Sequence, residues 1–351
     1  MSQCECCPPR RQFLGQVAGI GAASLFAGST ALAQTGRSGS RSVTQRRIDM
    51  HHHFAPPFWV TQIRAAKMGG GAPWSVDGSL ADMELGGVAK SILSLIQPGT
   101  WIKDDAQARA LAREVNDYAA KVRSDHPTRF GIFTTLPMPD SEGSLREIEY
   151  GMDDLKADGV GVFTSYGSRW LGDASFTPVL AELNRRNTVV YVHPTNPACC
   201  SALQPGINPS TIEYGTDTTR AIASLLFSGA ANRFPDIRWI WSHSGGTMPF
   251  LFSRFERQEE FTGEKVKALL PRGSMYEMKR FYYETAQGTS PMQLAALLKM
   301  IPVSQVLFGS DYPYRPAMEC VEGLEAWKFK SADQRAIEYG NAFRLMPQLK
   351  S

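Results

Sequence analysis

Four short apolar runs that end in histidine or aspartate constrain the fold of this 351-residue chain more than any other feature of its sequence. They are Ile-Asp-Met-His-His-His (48–53), Val-Tyr-Val-His (190–193), Arg-Trp-Ile-Trp-Ser-His (238–243) and Val-Leu-Phe-Gly-Ser-Asp (306–311). Side chains alternate in direction along a β-strand, so His51 and His53 are expected to share one face while His52 points to the other. Two imidazoles on one face, met by His193 and Asp311, indicate a metal site.

Strand-like runs alternate with helical patterns from Arg47 to the end of the chain. The eight predicted strands are residues 48–53, 90–94, 130–134, 160–164, 188–193, 238–243, 280–285 and 306–311. Among the helices, the apolar face of one is formed by Leu111, Val115, Tyr118 and Val122. Eight strands with helical crossovers predict an α/β fold, a (β/α)8 TIM barrel, whose active site lies at the C-terminal ends of the strands. The candidate metal ligands lie at or near those ends.

The first 33 residues predict an export signal. Arg-Arg-Gln-Phe-Leu (10–14) is a twin-arginine pattern, an apolar stretch follows, and Ala-Leu-Ala (31–33) offers small residues for cleavage. The apolar stretch is too short and too glycine-rich for a stable transmembrane helix, so we expect cleavage near Ala33 and no membrane span afterwards. The expected location is the periplasm, reached by the twin-arginine route, with a retained anchor as the alternative. Residues 34–45 are expected to be a flexible leader, and residues 46–351 the barrel.

The charge pattern bears on the kind of partner. The formal charge is +3, and it falls to +2 because the predicted signal carries away two arginines and one glutamate. The sequence contains no basic block of the kind that binds nucleic acid. A small molecule is therefore the expected partner.

Three of the six cysteines, Cys199, Cys200 and Cys320, lie beyond the predicted signal. An odd number in an oxidising compartment leaves at least one thiol free or paired with another molecule. Free thiols are expected, and a bridge from one of the neighbouring pair to Cys320 is the alternative.

Three imidazoles and one carboxylate suit a borderline divalent cation, and a catalytic site of this kind keeps one position open. The sequence therefore predicts one divalent metal ion, Zn²⁺ first and Mn²⁺ as the alternative, held by His51, His53, His193 and Asp311. By simple alternation Asp49 lies on the same face as His51 and His53. It is either a further ligand or an acceptor for a histidine N–H, and its deeper place favours the second role.

His243 is the histidine left for proton transfer. The Ser-Gly-Gly-Thr that follows it lets backbone amides approach a ligand, and an imidazole gains or loses a proton near neutral pH. The alternative is a fifth ligand, as in two-metal barrels. No lysine suited to carbamylation ends the fourth predicted strand, which favours a single metal ion. His52 and His126 are expected to be structural.

The motifs around these residues resemble a known family. Ile-Asp-Met-His-His-His (48–53), Val-His-Pro (192–194), Ser-His-Ser-Gly-Gly (242–246) and Gly-Ser-Asp-Tyr-Pro (309–313) resemble the amidohydrolase superfamily, and more narrowly its metal-dependent, oxygen-independent decarboxylases. That branch is typified by α-amino-β-carboxymuconate-ε-semialdehyde decarboxylase. Residues 217–220 and 281–286 are most similar to the 6-methylsalicylate type. The resemblance spans roughly Arg47 to Leu345.

The resemblance implies the same four metal ligands, with His243 and Asp311 as the catalytic pair that handles the proton. It also implies that Arg254 reaches a neighbouring subunit's active site and binds substrate carboxylate there, which requires a homodimer. A surface helix cation is the alternative for Arg254. Ser79 occupies the position of a second substrate arginine, so an aromatic monocarboxylate is expected in place of a dicarboxylate. Candidate walls of the aromatic pocket are Phe54, Trp74 and Tyr312, with Trp59 and Tyr314 beside them.

The expected function is non-oxidative decarboxylation of a small aromatic carboxylate of the hydroxybenzoate or 6-methylsalicylate kind. The metal would orient the substrate while His243 and Asp311 deliver the proton. One alternative is a hydrolase that cleaves an amide, a lactone or a carbon–carbon bond with metal-activated hydroxide. Another is a non-catalytic periplasmic protein that binds aromatic acids.

Overall fold

The computed structural model describes residues 46–350 except for 70, 103, 198 and 201–205. The predicted signal (1–33) and leader (34–45) lie outside the described residues. Within the described part of the chain, no helix combines the length and the apolar character that crossing a membrane requires.

Eight parallel strands form one sheet in the order β1-β2-β3-β4-β7-β8-β9-β10. Their bounds are β1 (Arg47–Phe54), β2 (Val88–Leu95), β3 (Phe130–Thr135), β4 (Gly159–Phe163), β7 (Val189–His193), β8 (Arg238–Trp241), β9 (Tyr282–Glu284) and β10 (Val306–Leu307). An antiparallel pair, β5 (Ser165–Tyr166) and β6 (Arg169–Trp170), stands apart from this sheet. Each predicted strand corresponds to one observed strand of the large sheet, which confirms the predicted barrel fold.

Backbone hydrogen bonds join β1 to the segment that follows β10 and so close the barrel. The amide of Met50 donates to Phe308 at 2.9 Å, and the amide of His53 donates to Tyr312 at 2.8 Å. In the reverse direction, the amide of Asp311 donates to the carbonyl of His51 at 2.9 Å. The first and last strands therefore meet at the point where two candidate ligands lie side by side.

Helices cover the outside of the sheet. They are α1 (Pro57–Ala65), α2 (Val76–Gly86), α3 (Asp105–Asp125), α4 (Ser141–Glu149), α5 (Thr177–Arg185), α6 (Glu213–Phe227), α7 (Ala230–Arg233), α8 (Met248–Thr262), α9 (Glu264–Leu269), α10 (Ser274–Met278), α11 (Pro291–Met300), α12 (Ala317–Trp327), α13 (Ser331–Arg335) and α14 (Asn341–Leu345). The longest, α3, begins where the Asp104 side chain accepts from the amide of Gln107. It buries Leu111, Val115 and Val122, as its spacing predicted.

An apolar cluster fills the inside of the barrel below the candidate ligands. Its members come from strands on all sides and from the C-terminal helix: Ile48, Met50, Ile92, Phe133, Val189, Tyr191, Ile240, Leu307, Ala342, Leu345, Met346 and Leu349. The rings of Phe133 and Tyr191 stack across β4 with centroids 5.5 Å apart. In the described part of the chain this packing fills the barrel below the C-terminal ends of the strands, and those ends are where this fold binds its ligands.

A β-bulge in β1 decides which side chains enter the barrel. The register of β1 against β2 shifts between Asp49 and His52. Because the extra residue interrupts the alternation, Met50 and His51 both lie on the inner side, and Asp49 lies on the outer side with His52. The expectation that Asp49 shares the face of His51 is therefore wrong.

Candidate metal centre and active site

The structure brings four predicted ligands together at the open end of the barrel. His51 and His53 come from the end of β1, His193 ends β7, and Asp311 follows β10. Their ligand atoms all lie within 4.8 Å of one another. The Nε2 atoms of His51 and His53 are 2.9 Å apart, and each lies 3.1 or 3.2 Å from Asp311 Oδ1. We call these four residues the ligand cluster.

The Nδ1 atom of each histidine in the ligand cluster is held by an acceptor. The pairs are His51 with Glu284 Oε1 at 2.8 Å, His53 with the Ser94 carbonyl at 3.3 Å, and His193 with the Pro194 carbonyl at 2.8 Å. A carboxylate or carbonyl oxygen can only accept, so the neutral rings carry their proton on Nδ1. Their Nε2 lone pairs consequently face the centre of the cluster.

The ligand cluster fits a cation. Asp311 Oδ1 is buried and has no hydrogen-bond partner among the described residues, although the two Nε2 atoms lie close to it. A buried carboxylate oxygen and several converging lone pairs repel one another unless a positive charge lies between them. Three nitrogen donors and one oxygen donor match the preference of Zn²⁺ and of neighbouring divalent ions.

The electrostatics of the cluster point the same way. Burial opposes the charged form of His51, but the carboxylates of Glu284 and Asp311 outweigh it and raise the pKa of this ring to about 10. Burial lowers the pKa of His53 and, more strongly, that of His193. Burial also opposes ionisation of Asp311, yet His51 and His53 hold its pKa well below the usual range. The centre thus attracts one positive charge even as a bare protein site.

His243 lies beside the ligand cluster, with its ring centroid 4.9 Å from that of His51. Its Nδ1 donates to the carbonyl of Ala286 at 3.0 Å, and its backbone amide donates to Glu284 Oε1 at 2.6 Å. Its Nε2 is buried and has no hydrogen-bond partner among the described residues. Both His243 and Ser244 have positive φ angles, 51° and 57°, an uncommon conformation that this turn maintains. His243 is therefore fixed at one end and free to exchange a proton at the other.

Glu284 holds both the metal-ligand candidate His51 and the proton-transfer candidate His243, and it was not predicted from the sequence. Its Oε1 accepts from His51 and from the His243 amide, and its Oε2 accepts from the Ala286 amide at 2.5 Å. The sequence signal was present, because Glu284 is an acidic residue that ends an apolar strand, β9. Its oxygens are already used as acceptors, so it orients the site in the arrangement observed.

A cavity of two adjoining parts, about 500 and 370 Å³, opens above the ligand cluster. The parts share Ser210, Tyr214, Gln287 and Arg315, and reach His193, His243 and Asp311. The Tyr214 ring stacks over His243 with centroids 6.4 Å apart and an angle of 25° between planes. Gln97 Nε2 donates to the Tyr214 hydroxyl, and Gln287 Nε2 donates to Asp311 Oδ2. An aromatic wall and neutral amides thus surround the reacting centre.

The predicted aromatic walls are mostly elsewhere. Phe54 is fully buried in the outer core against Trp74, because it follows the inward-facing His53 and so points away from the barrel interior. Tyr312 stacks on His52 with centroids 4.9 Å apart. Among the predicted aromatic residues, only Tyr314 lines the cavity in the described part of the chain. The predicted pocket roles of Phe54, Trp74 and Tyr312 therefore disagree with their positions.

Two further predicted positions lie outside the cavity lining. Ser79 is fully buried, and its hydroxyl bonds Nε2 of His52 at 2.9 Å. Arg254 is exposed on α8. Within a single chain neither residue can contact a ligand in the cavity.

A model of the amidohydrolase family matches residues 48–347, from β1 to beyond α14. The chain belongs to the amidohydrolase family. It is 35% identical over 325 residues to 6-methylsalicylic acid decarboxylase of Penicillium expansum, an alignment that covers 87% of this chain and 97% of that protein. To the γ-resorcylate decarboxylase of Polaromonas sp. (strain JS666) it is 27% identical over 278 residues, 75% of this chain and 84% of that one.

A solved structure shares the fold. The dihydroxybenzoic acid decarboxylase from Polaromonas sp. JS666, with bound manganese and the inhibitor 2-nitroresorcinol, superposes with a TM-score of 0.77 at 23% identity. The superposition covers 88% of this chain and 98% of that chain. The sequence relatives place this amidohydrolase among the decarboxylases.

Proposed function

We propose that this amidohydrolase is a metal-dependent, non-oxidative decarboxylase of a small hydroxybenzoate-type acid. The observation that carries the proposal is the free Nε2 of His243, held beside the four-residue ligand cluster under an aromatic wall. The relatives named above decarboxylate 6-methylsalicylate and γ-resorcylate, which are single-ring acids with an ortho hydroxyl. A cavity part of about 370 Å³ suits a ligand of that size.

The ligand cluster would hold one divalent cation, which withdraws charge from the oxygen substituents of the substrate and fixes the orientation of its ring. Zn²⁺ is our first choice because imidazole nitrogen and carboxylate oxygen are typical ligand atoms of its catalytic sites. The manganese in the related dihydroxybenzoic acid decarboxylase supports Mn²⁺ as the alternative. Element analysis of protein purified without added metal, followed by reconstitution with each ion, separates the two.

The proton chemistry follows from the contacts of His243. Its Nε2 proton is delivered to the ring carbon that bears the carboxylate, while the Ala286 carbonyl holds the proton on Nδ1. The bond from that carbon to the carboxylate then breaks, its electron pair restores the aromatic ring, and CO₂ leaves. Gln287 holds Oδ2 of Asp311, so that Oδ1 stays directed at the centre. General acid catalysis of this kind contributes about 10²–10⁴-fold in rate.

We also propose that the protein is a homodimer. Phe250 and Phe261 on α8 are 85% and 88% exposed, and with Arg254 and Arg257 they occupy one face of the helix at spacings of four, three and four residues. Large exposed aromatic side chains that lie along one stripe are typical of a surface covered by another chain. A second copy would cover them and would bring Arg254 towards a neighbouring active site. Sedimentation of the wild type and of a Phe250→Asp, Phe261→Asp variant tests this.

Export to the periplasm remains part of the proposal. The twin-arginine pattern at residues 10–14 supports it. Fractionation of cells that express the full chain, with an Arg10→Lys, Arg11→Lys variant as the control, measures it directly.

The experiment that tests the function uses purified, metal-loaded protein with carboxyl-labelled salicylate, 6-methylsalicylate, 2,3-dihydroxybenzoate and γ-resorcylate, followed by ¹³C NMR and headspace analysis. Labelled CO₂ from the wild type, absent with the His243→Ala protein, is the expected result. Cleavage of aryl amides or lactones without CO₂ would move the enzyme to the hydrolases. Tight binding of the acids with no turnover of any compound would favour a binding protein.

A further inference from the structure

We infer that Arg315 recognises the substrate's negative charge from within the same chain and so lets the enzyme distinguish the acid it consumes from the neutral phenol it releases. The inference rests on the proposed function and deepens it. It concerns a residue that follows the ligand Asp311 by four positions, at the mouth of the cavity.

The charges around the cavity single out this side chain. The histidines and Asp311 lie at the floor, and apart from Arg315 the remaining lining is formed by hydroxyl, amide, aromatic, aliphatic and small side chains. Arg315 lines both parts of the cavity and is the sole arginine or lysine among the described residues that do so. An aromatic carboxylate that enters the cavity therefore meets one permanent cation of the chain.

The backbone of Arg315 is fixed relative to the reacting centre. The amides of Tyr314 and Arg315 both donate to the carbonyl of Asp311, at 2.9 and 3.2 Å. This tight turn ties the position of the arginine to that of the metal ligand. The backbone of Arg315 is thereby held close to the floor where the chemistry takes place, and only its side chain has to move to reach a ligand.

The side chain, in contrast, is available. Its one ion pair in the described structure joins Nη1 to Glu319 Oε2 at 3.6 Å, and both side chains are about half exposed, at 52% and 48%. An exposed pair of this length contributes little to stability and is easily exchanged for another partner. A guanidinium can leave such a partner for a carboxylate that is partly shielded from water, since it offers a fork of donors that matches a carboxylate.

No other described arginine takes this role inside one chain. Arg254 is exposed on α8, away from the lining, and Arg220 is bound to Glu213 at 3.1 Å. The position expected to hold a second substrate arginine is Ser79, which is buried against His52. Recognition of the acid in cis thus depends on Arg315.

The consequence is asymmetric binding of substrate and product. Loss of CO₂ converts an anion into a neutral phenol, and the phenol has no charge for the guanidinium to bind. A charge-assisted bidentate pair that is partly desolvated corresponds to a roughly tenfold to 100-fold difference in affinity. Arg315 would therefore strengthen binding of the acid and leave release of the product unhindered.

The test measures acid and phenol separately on metal-loaded holoenzyme. In the inactive His243→Asn background, calorimetry is run with 6-methylsalicylate and with 3-methylphenol, and with salicylate and phenol as a second pair. The Arg315→Gln change is expected to weaken the binding of the acids about tenfold to 100-fold and to leave the affinity for the phenols unchanged. Arg315→Lys is expected to recover part of the loss. In the otherwise wild-type enzyme, Arg315→Gln is expected to raise KM for the acid with a smaller effect on kcat.

Glu319→Gln is the matched control, because it removes the present partner of Arg315 without touching the cavity floor. If Arg315 were only a surface cation, both variants would bind acids like the parent protein, which would overturn the inference. If Arg315→Gln weakened the binding of acids and phenols equally, or lost its metal, the residue would have a structural role. Either result would also overturn the inference. Absence of CO₂ release by the wild type would contradict the proposed function itself, a result distinct from either of these.

Discussion

Glu284 accepts a hydrogen bond from Nδ1 of His51 at 2.8 Å, on the side of the imidazole opposite the metal-facing Nε2. The same carboxylate oxygen accepts the backbone amide of His243 at 2.6 Å. One buried carboxylate therefore sets the orientation of a metal ligand and of the proton donor together. A disturbance at Glu284 should affect metal binding and proton transfer at once.

Glu284→Gln is expected to weaken metal binding by about 10–100-fold, because an amide is a weaker acceptor and brings competing donors. A titration against a chelator measures the affinity. Glu147→Gln is the matched control, since Glu147 is also a buried carboxylate but binds Arg113 and Asn116 on the outside of the barrel. Equal metal affinity in the Glu284→Gln and wild-type proteins would contradict the assigned support role.

His243→Asn is expected to reduce turnover by at least about 10²-fold while leaving metal content at the wild-type level. Asparagine is chosen because it tolerates the positive φ of this position better than alanine does. Element analysis and CO₂ release are measured on the same preparation. Loss of the metal together with activity would identify His243 as a ligand.

Asp49 connects β1 to the loop that carries Asp311, and its removal should loosen the barrel closure. Its two oxygens accept from the amides of His51 and Ser310 at 3.0 Å and from the Ser310 hydroxyl at 2.6 Å. Asp49→Ala is expected to lower the free energy of unfolding by about 2–4 kcal/mol, since it leaves buried donors unpaired. Ser310→Ala removes one of these bonds and should cost about 1 kcal/mol. Urea denaturation measures the free energy of unfolding of both variants. Similar losses in Asp49→Ala and Ser310→Ala would contradict the assigned role of Asp49.

Metal removal is expected to lower the stability of the protein. A cation present at about 1,000 times its Kd stabilises the native state by about 4 kcal/mol, which corresponds to several degrees in Tm. Because the pKa of His51 is about 10 in the bare site, this ring is protonated at neutral pH and its proton must leave when the cation binds. Calorimetric titration in two buffers of different ionisation enthalpy should show release of about one proton. An unchanged Tm after metal removal would contradict the fit of the cluster.

The alternation rule explains both the success and the errors of the sequence analysis at β1. It identified His51 and His53 as neighbours on one face. Applied to Phe54, the same rule predicts a side chain on the outer face of β1, and the structure places it there. It failed at Asp49, because a bulge between Asp49 and His52 reverses the alternation. A bulge is fixed by pairing with β2 and by contacts across the barrel closure, and no local pattern in the sequence indicates it.

The loop residues of the site were the hardest to predict. Tyr214 lies in the first turn of α6, at the edge of a cavity that the assembled barrel forms. Gln287 and Arg315 belong to no periodic pattern, and their positions depend on turns that the assembled barrel holds in place. Gln287, for instance, has a positive φ of 49° and meets Asp311 from a different strand end. Glu284 differs from these, since an acidic residue at the end of an apolar strand carries the same signal as the histidines that were recognised.

The seam between the first and last strands has a consequence for how the protein matures. The hydroxyl of Ser310 donates to the carbonyl of His51 across 259 positions of sequence, and the amide of Asp311 donates to the same carbonyl, so contacts across this seam bring Asp311 to the histidines. A chain still being synthesised possesses all three imidazoles long before it possesses the carboxylate that completes their site. The four-residue ligand set is therefore complete only in a chain that includes the last strand of the barrel, and a chain truncated before Val306 would keep three ligands and lack the carboxylate.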